Sequence, residues 1–262
     1  MNDTEKAHFL KILNAGFRLD DRKSDEFRKL KILRGSSKTA EGSAELFLGE
    51  THVIAGVKFS IEAPFPDTPD EGVLMVNVEQ SPVASPEFEE GPPTIEAIEL
   101  SRVVDRGLRE SKAIDLKSLC ITPGEKVWSI SVDIVTLNDD GNLIDACGLA
   151  ALAALQDARF PKVVDGKPDY HELTDDRLAL KELPIPVTVY KFGEFLVVDP
   201  LYEEEVLADA RLTVTTLSSG EICALQKGFD GTLSIDYIDK MVELSLKKSK
   251  ELRNELKKEL KA

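Results

Sequence analysis

The stretch from Leu143 to Ala158 constrains the fold of this chain more than any other segment. It is rich in Ala and Leu, which are strong helix formers. It is apolar nearly all round rather than along one stripe, so the helix has to be covered by other elements and lie in the interior. Asn138-Asp139-Asp140-Gly141-Asn142 forms a turn ahead of it. Before the turn, Trp128, Ile130, Val132 and Ile134 share one face of a strand running over 126–135.

Other elements follow from periodicity. A helix is expected over Thr4 to Ala15, with Leu10, Leu13 and Phe17 on its apolar side and Gly16 as the stop. It serves as an arm that packs either on a neighbour or on its own chain. Arg18-Leu19-Asp20-Asp21-Arg22 has no strong secondary preference. Strands are expected over Leu30 to Leu33, Ala44 to Leu48, Thr51 to Ile61 and Val73 to Val78, with Gly49-Glu50 as a hairpin turn. Two loops rich in proline and acid, 63–71 and 81–93, precede a helix opened by Thr94 as N-cap. Val163 to Glu182 is mostly polar and reads as a linker, and the pattern then begins again. Strands are expected over Ile185 to Lys191, Glu194 to Val198, Arg211 to Leu217 and Glu221 to Gln226, and a long helix over Ser234 to Leu260, its last part facing solvent. The chain is therefore an α+β protein of two similar layers. It divides into an arm (1–28), a first domain (29–165), a linker (166–182) and a second domain (183–262).

The chain is acidic, with a formal net charge of −15 over 262 residues. Such a charge argues against unaided, non-specific nucleic-acid binding, which Lys and Arg at phosphates drive. The three cysteines, Cys120, Cys147 and Cys223, sit far apart in apolar runs and read as buried thiols in a reducing, cytoplasmic setting. His8, His52 and His171 are scattered, so no His/Cys metal site is indicated and no cofactor is implied. No apolar stretch is long enough to cross a bilayer as a helix, which argues against a membrane partner.

Against this acidic background the helix after Thr94 carries Arg102, Arg106 and Arg109 at i, i+4, i+7, on one face. Ala97, Leu100, Val104 and Leu108 form a separate docking stripe. Arginine suits bidentate phosphate recognition. On the pattern alone, a solvated face paired with Glu99, Asp105 and Glu110 is the preferred reading.

Several strings together resemble the ribonuclease PH family across nearly the whole chain. They are Arg18-x-Asp20-x-Arg22, Glu41-Gly42-Ser43-Ala44, Leu48-Gly49-Glu50-Thr51, Ser101-Arg102 with Arg106 and Arg109, and Asp139-Asp140-Gly141 before the Ala-rich helix. The resemblance extends to the non-catalytic ribonuclease PH-like subunit of the archaeal exosome. It implies the ribonuclease PH fold, with two subdomains of the ribosomal protein S5 domain 2-like type. It also implies a six-membered ring, a trimer of heterodimers with a catalytic ribonuclease PH-like subunit, which carries RNA-binding cap proteins and degrades single-stranded RNA from 3′ to 5′. Arg102, Arg106 and Arg109 then become RNA-binding candidates.

Active members attack the terminal phosphodiester with inorganic phosphate. They hold that anion with a Gly-Gly-Ser/Thr-Arg turn before the Ala-rich helix. Here Leu143 and Ile144 stand where the hydroxyl and the arginine are expected, and neither can bind phosphate. They read instead as a packed first helical turn. Of the family's acidic cluster Asp199 matches, Glu205 replaces an Asp, and Arg211 falls near the last Asp with its charge reversed, although Asp209 could substitute. Glu203-Glu204-Glu205 could bind a metal or form a solvated acidic loop, the latter being preferred. A non-catalytic subunit follows, with no catalytic or metal residues assigned. The alternative is an active phosphate-dependent exoribonuclease with a diverged phosphate pocket. A small-molecule kinase or ribosome-associated protein of the S5-like fold is disfavoured by the lack of a Gly/Ser-rich nucleotide loop and by the acidity.

Overall fold

The computed structural model describes residues 3–164 and 166–260. The expected end of the first domain, Asp165, and the chain ends 1–2 and 261–262 lie outside the described residues. The elements are α1 (Asp3–Asn14), β1 (Leu30–Arg34), β2 (Gly42–Leu48), β3 (Thr51–Glu62), β4 (Val73–Gln80), α2 (Ile95–Glu110), β5 (Cys120–Thr122), β6 (Lys126–Asn138), α3 (Leu143–Asp157), β7 (Arg159–Val164), β8 (Lys167–Arg177), β9 (Ile185–Phe192), β10 (Phe195–Val198), α4 (Tyr202–Glu205), β11 (Ala210–Thr216), β12 (Ile222–Gly228) and α5 (Ile235–Glu259).

One sheet runs β1-β2-β3-β6-β4, antiparallel except for the parallel pair β4 and β6, with β5 added to β6. A second, fully antiparallel sheet runs β10-β9-β11-β12. Helix α3 lies between them, against β2 and β3 on one side and β9 on the other. This accounts for its all-round apolar surface: every residue from Leu143 to Leu155 is buried. The fit is close, because a Cβ on Gly148 would come within 2.6 Å of the Pro186 ring on β9.

Helix α2 begins at Thr94, whose Oγ1 accepts the Ala97 N–H at 3.1 Å. It buries the expected stripe together with Val103 and Gly107. It packs along β4, the edge strand, and α3, and reaches β12. An edge strand leaves unpaired backbone groups, and α2 meets two of them with side chains. Ser101 Oγ accepts the Val78 N–H at 2.8 Å, and Arg109 Nη2 donates to the Leu74 carbonyl at 2.9 Å.

Four expectations are corrected. The linker 166–182 is largely strand β8, which forms a hairpin with β7. Its polar sequence hides the strand because neither face is buried, and cross-strand contacts such as Lys162–Glu172 (2.8 Å) replace apolar alternation. The end of α5 is not wholly solvent-facing, since Leu252, Arg253 and Leu256 are buried. Of the three cysteines, all free thiols, only Cys147 is fully buried. The face of α1 is Phe9 and Leu13 rather than Phe17, which is exposed. The helix packs on its own chain, with Phe9 edge-on to Phe192 at 5.1 Å.

The segment between α1 and β1 is held by buried charge. Arg18 pairs with Glu204 at 2.5 Å, both side chains almost fully enclosed. Arg28 grips Asp199 through Nε and Nη2 at 3.0 and 2.7 Å, and through its other donors reaches Thr51 Oγ1 and the carbonyls of Asp140 and Gly141. Removing one partner of such a pair leaves a buried charge uncompensated, at about 3–5 kcal/mol. We therefore expect Arg28→Met to lower stability by about that amount in chemical denaturation, with Asp199→Asn restoring part of it. A loss under about 1 kcal/mol would show that Arg22 alone neutralises Asp199.

Candidate functional site

The site forms where the turn before α3 meets the chain after β10. Gly141 (φ 87°) brings the two backbones together: a Cβ there would meet the Pro200 carbonyl at 2.6 Å. Asn142 and Asp199, both with left-handed backbone (φ 56° and 48°), face each other across this junction. The Asn142 Nδ2 donates to Asp199 Oδ1 at 3.0 Å and to Asp145 Oδ2 at 3.1 Å.

Asp199, the acid that matches the family pattern, is fully buried. Its carboxylate accepts the backbone N–H of Arg28 (2.7 Å), two guanidinium donors of Arg28, one of Arg22 (3.1 Å) and the Asn142 amide. Five donors use up the lone-pair directions of a carboxylate. Asp209, the possible substitute acid, is turned to the arm, where it pairs with Lys6 and accepts the Gly193 N–H at 2.6 Å.

The acidic triplet is not a solvated loop. It is the short helix α4, with Glu204 fully buried on Arg18. Glu205 points at the start of α3: its Oε2 accepts the Asn142 N–H at 2.7 Å and its Oε1 the Tyr190 hydroxyl at 2.8 Å. A helix N-terminus attracts anions through its free N–H groups and its dipole. Here that position is filled by the protein's own carboxylate.

Leu143 and Ile144 are buried in the first turn of α3, as read from the sequence. They floor a groove of about 530 Å³ whose walls carry five carboxylates, Glu96, Glu99, Asp139, Glu205 and Asp230, against one guanidinium, Arg211. Burial pushes the Asp139 carboxyl up to about 6, and the nearby Glu205 and Asp140 charges add to the rise against the Gly141 N–H. Asp145, wholly enclosed, is raised to about 7 by burial, although Thr188 and Asn142 donate to it. The groove is thus a poor receptor for a further anion.

The three arginines of α2 are all exposed. Arg109 is tied to Asp105 by two bonds, at 2.7 and 3.2 Å, and to the Leu74 carbonyl. Among the described residues, Arg102 and Arg106 have no hydrogen bond or ion pair within the chain. Of the acids expected to pair with them, Asp105 is taken by Arg109 and Glu99 by Arg211 (2.5 Å), while Glu110 makes no ion pair among the described residues. Sequence reasoning missed Arg28, Tyr190 and the burial of Glu204. Arg18 and Arg22, singled out in their string, and Asp199, which matches the family pattern, gave a signal for the buried charge cluster around Asp199.

The chain belongs to the 3′ exoribonuclease family of ribonuclease PH: the model of the family's domain 1 matches residues 26–161, and that of domain 2 matches 182–248. The two-sheet α+β architecture is the ribonuclease PH fold. The chain is 47% identical to the exosome complex component Rrp42 of Methanopyrus kandleri, over 98% of this chain and 97% of that protein. It is 45% identical to the component of the same name from Pyrococcus horikoshii, over 95% and 92%. Among solved structures it resembles a chain of the Archaeoglobus fulgidus exosome with RNA bound to the active site, with 43% identity, a TM-score of 0.89, and 97% and 98% coverage.

The raised pKa of Asp139 sets the sign of a pH dependence. The folded state keeps a proton that the unfolded chain loses near 3.8, so this contribution is complete below that pH and is lost as pH rises through about 6. Asp139→Asn should therefore gain about 2 kcal/mol on the parent between pH 4 and pH 7. Denaturant midpoints at the two pH values read it, and parallel profiles would refute it.

Proposed function

We propose that this chain is a non-catalytic subunit of an exosome. It pairs with a catalytic ribonuclease PH-like subunit as a trimer of heterodimers, in a ring that takes cap proteins and degrades single-stranded RNA from 3′ to 5′ in the cytoplasm. The observation that carries this reading is a contrast in where charge is satisfied. At the start of α3 the anion position is closed by Glu205, with Leu143 and Ile144 beside it. On α2, two guanidiniums are left without partners among the described residues.

In phosphorolysis the electrostatic obstacle is bringing inorganic phosphate up to a polyanion. A groove that offers no hydroxyl or cation at Leu143 and Ile144, and that holds a carboxylate on the Asn142 N–H, does not overcome it. Arg102 and Arg106, flanked by Arg109, instead suit RNA phosphates on their way to the active site of the paired subunit. Such contacts position the strand without reading its bases. The likeness to a chain from an exosome with RNA in its active site, and to archaeal Rrp42 components, supports the assembly part of this reading.

Two measurements test it. With the catalytic carboxylate of the paired subunit removed, the reconstituted ring is expected to release no nucleoside diphosphate from single-stranded RNA. Phosphate-dependent turnover would favour the active-enzyme reading. In the otherwise intact ring, Arg102→Ala/Arg106→Ala should weaken RNA binding about tenfold at low salt and flatten its salt dependence, with ring size unchanged. Equal affinity in the two rings would remove the RNA-contact claim.

A further inference from the structure

We propose that Arg211 is a positioning residue for the arginine stripe. By drawing Glu99 onto the second sheet, it keeps that carboxylate from neutralising Arg102. The inference rests on the RNA-contact reading above.

Glu99 lies three residues before Arg102 and seven before Arg106, on the same side of α2. An acid three residues before an arginine, as Glu99 is before Arg102, is placed to pair with it on a helix surface. In the fold it does not. Glu99 Oε2 accepts Arg211 Nη2 at 2.5 Å, and its Oε1 accepts Gln226 Nε2 at 3.2 Å. Both oxygens are therefore turned to β11 and β12. Arg211 is held for this task from its other sides, with its guanidinium 4.8 Å from the Phe229 ring centroid and Nη1 4.0 Å from Glu205. Its side chain is mostly buried, while that of Glu99 is more open.

The charge balance of the exposed face of α2 follows. Arg109 neutralises Asp105, and Arg211 neutralises Glu99 from outside the helix. Among the described residues, Arg102 and Arg106 are then left without an ion pair, as are the exposed acids Glu96 and Glu110 of the same helix. Without Arg211 one of the two arginines gains an acidic neighbour within reach. Arg211 stands near the place where the family resemblance expects an aspartate, so the charge reversal does more than remove an acid: it recruits Glu99.

The test is single-stranded RNA binding by the ring reconstituted with its catalytic partner, without phosphate so that no turnover occurs, read by fluorescence anisotropy across salt concentrations. Arg211→Met is expected to weaken binding about threefold at low salt and to make the salt dependence shallower. Glu99→Gln/Arg211→Met should return to the parental affinity, since the competing carboxylate is gone. Arg211→Lys, which keeps the charge, should stay within about twofold. A purely mechanical tie between α2 and the second sheet predicts the opposite for the double variant, because the tie is broken there too. A double variant as weak as Arg211→Met overturns the inference. So does parental binding by Arg211→Met when Arg102→Ala/Arg106→Ala binds weakly. If the latter pair binds normally, the RNA-contact reading falls first and takes this inference with it. Should Arg211→Met fail to assemble, Glu99→Gln alone decides: binding at or above the parental level supports the proposal, and weakening to the level of Arg102→Ala/Arg106→Ala overturns it.

Discussion

The buried carboxylate of Asp199 is the constraint on which the rest of the site depends. An ionised carboxylate without water is tolerated only when donors surround it. Asp199 gathers them from separate parts of the chain: Arg22 and Arg28 ahead of β1, and Asn142 at the start of α3. Satisfying one charge thus joins the N-terminal segment, the first sheet's buried helix and the turn after β10. The same junction sets Asn142 in a left-handed conformation and aims its N–H at Glu205. The acid that matches the family's pattern has become the fastening of the fold, and the neighbouring helix terminus is closed as a consequence.

Charge is otherwise sorted by side. Toward α3 and the second sheet, three guanidiniums are each matched to a carboxylate: Arg18 to Glu204, Arg28 to Asp199, Arg211 to Glu99. On the outer side of α2, Arg102 and Arg106 keep their charge unspent. In a chain of net charge −15 this is a narrow cationic stripe rather than a basic field. Its reach is short because salt screens exposed charges beyond about 10 Å. The Ser101 and Arg109 bonds to the β4 edge fix the helix so that the stripe faces outward.

Much of this was legible in the sequence. The Ala- and Leu-rich helix announced its burial, Thr94 its cap, and Leu143 and Ile144 a packed turn without phosphate donors. The β7–β8 hairpin was not legible, because a strand exposed on both faces has no reason to alternate apolar and polar residues. Glu204 read as solvated because a run of acids usually is, and nothing local reveals that Arg18, 186 positions away, comes to meet it. The arm looked equally suited to a neighbour or to its own chain, since Phe9 and Leu13 make an apolar face whichever surface receives them.

The sequence by itself determined most of the elements, the β7–β8 hairpin and α4 apart, and the lack of phosphate donors at the start of α3. Periodicity and side-chain type act within a few residues, so amphipathic or fully buried strands and helices, caps and the absence of a hydroxyl or cation at positions 143 and 144 are local facts. Only the tertiary structure decided the pairing of charges. Whether Glu99 neutralises Arg102 or Arg211, and whether Glu205 faces water or the Asn142 N–H, depends on which distant segment lies within about 3 Å, and hydrogen bonds and ion pairs fall away steeply beyond that distance.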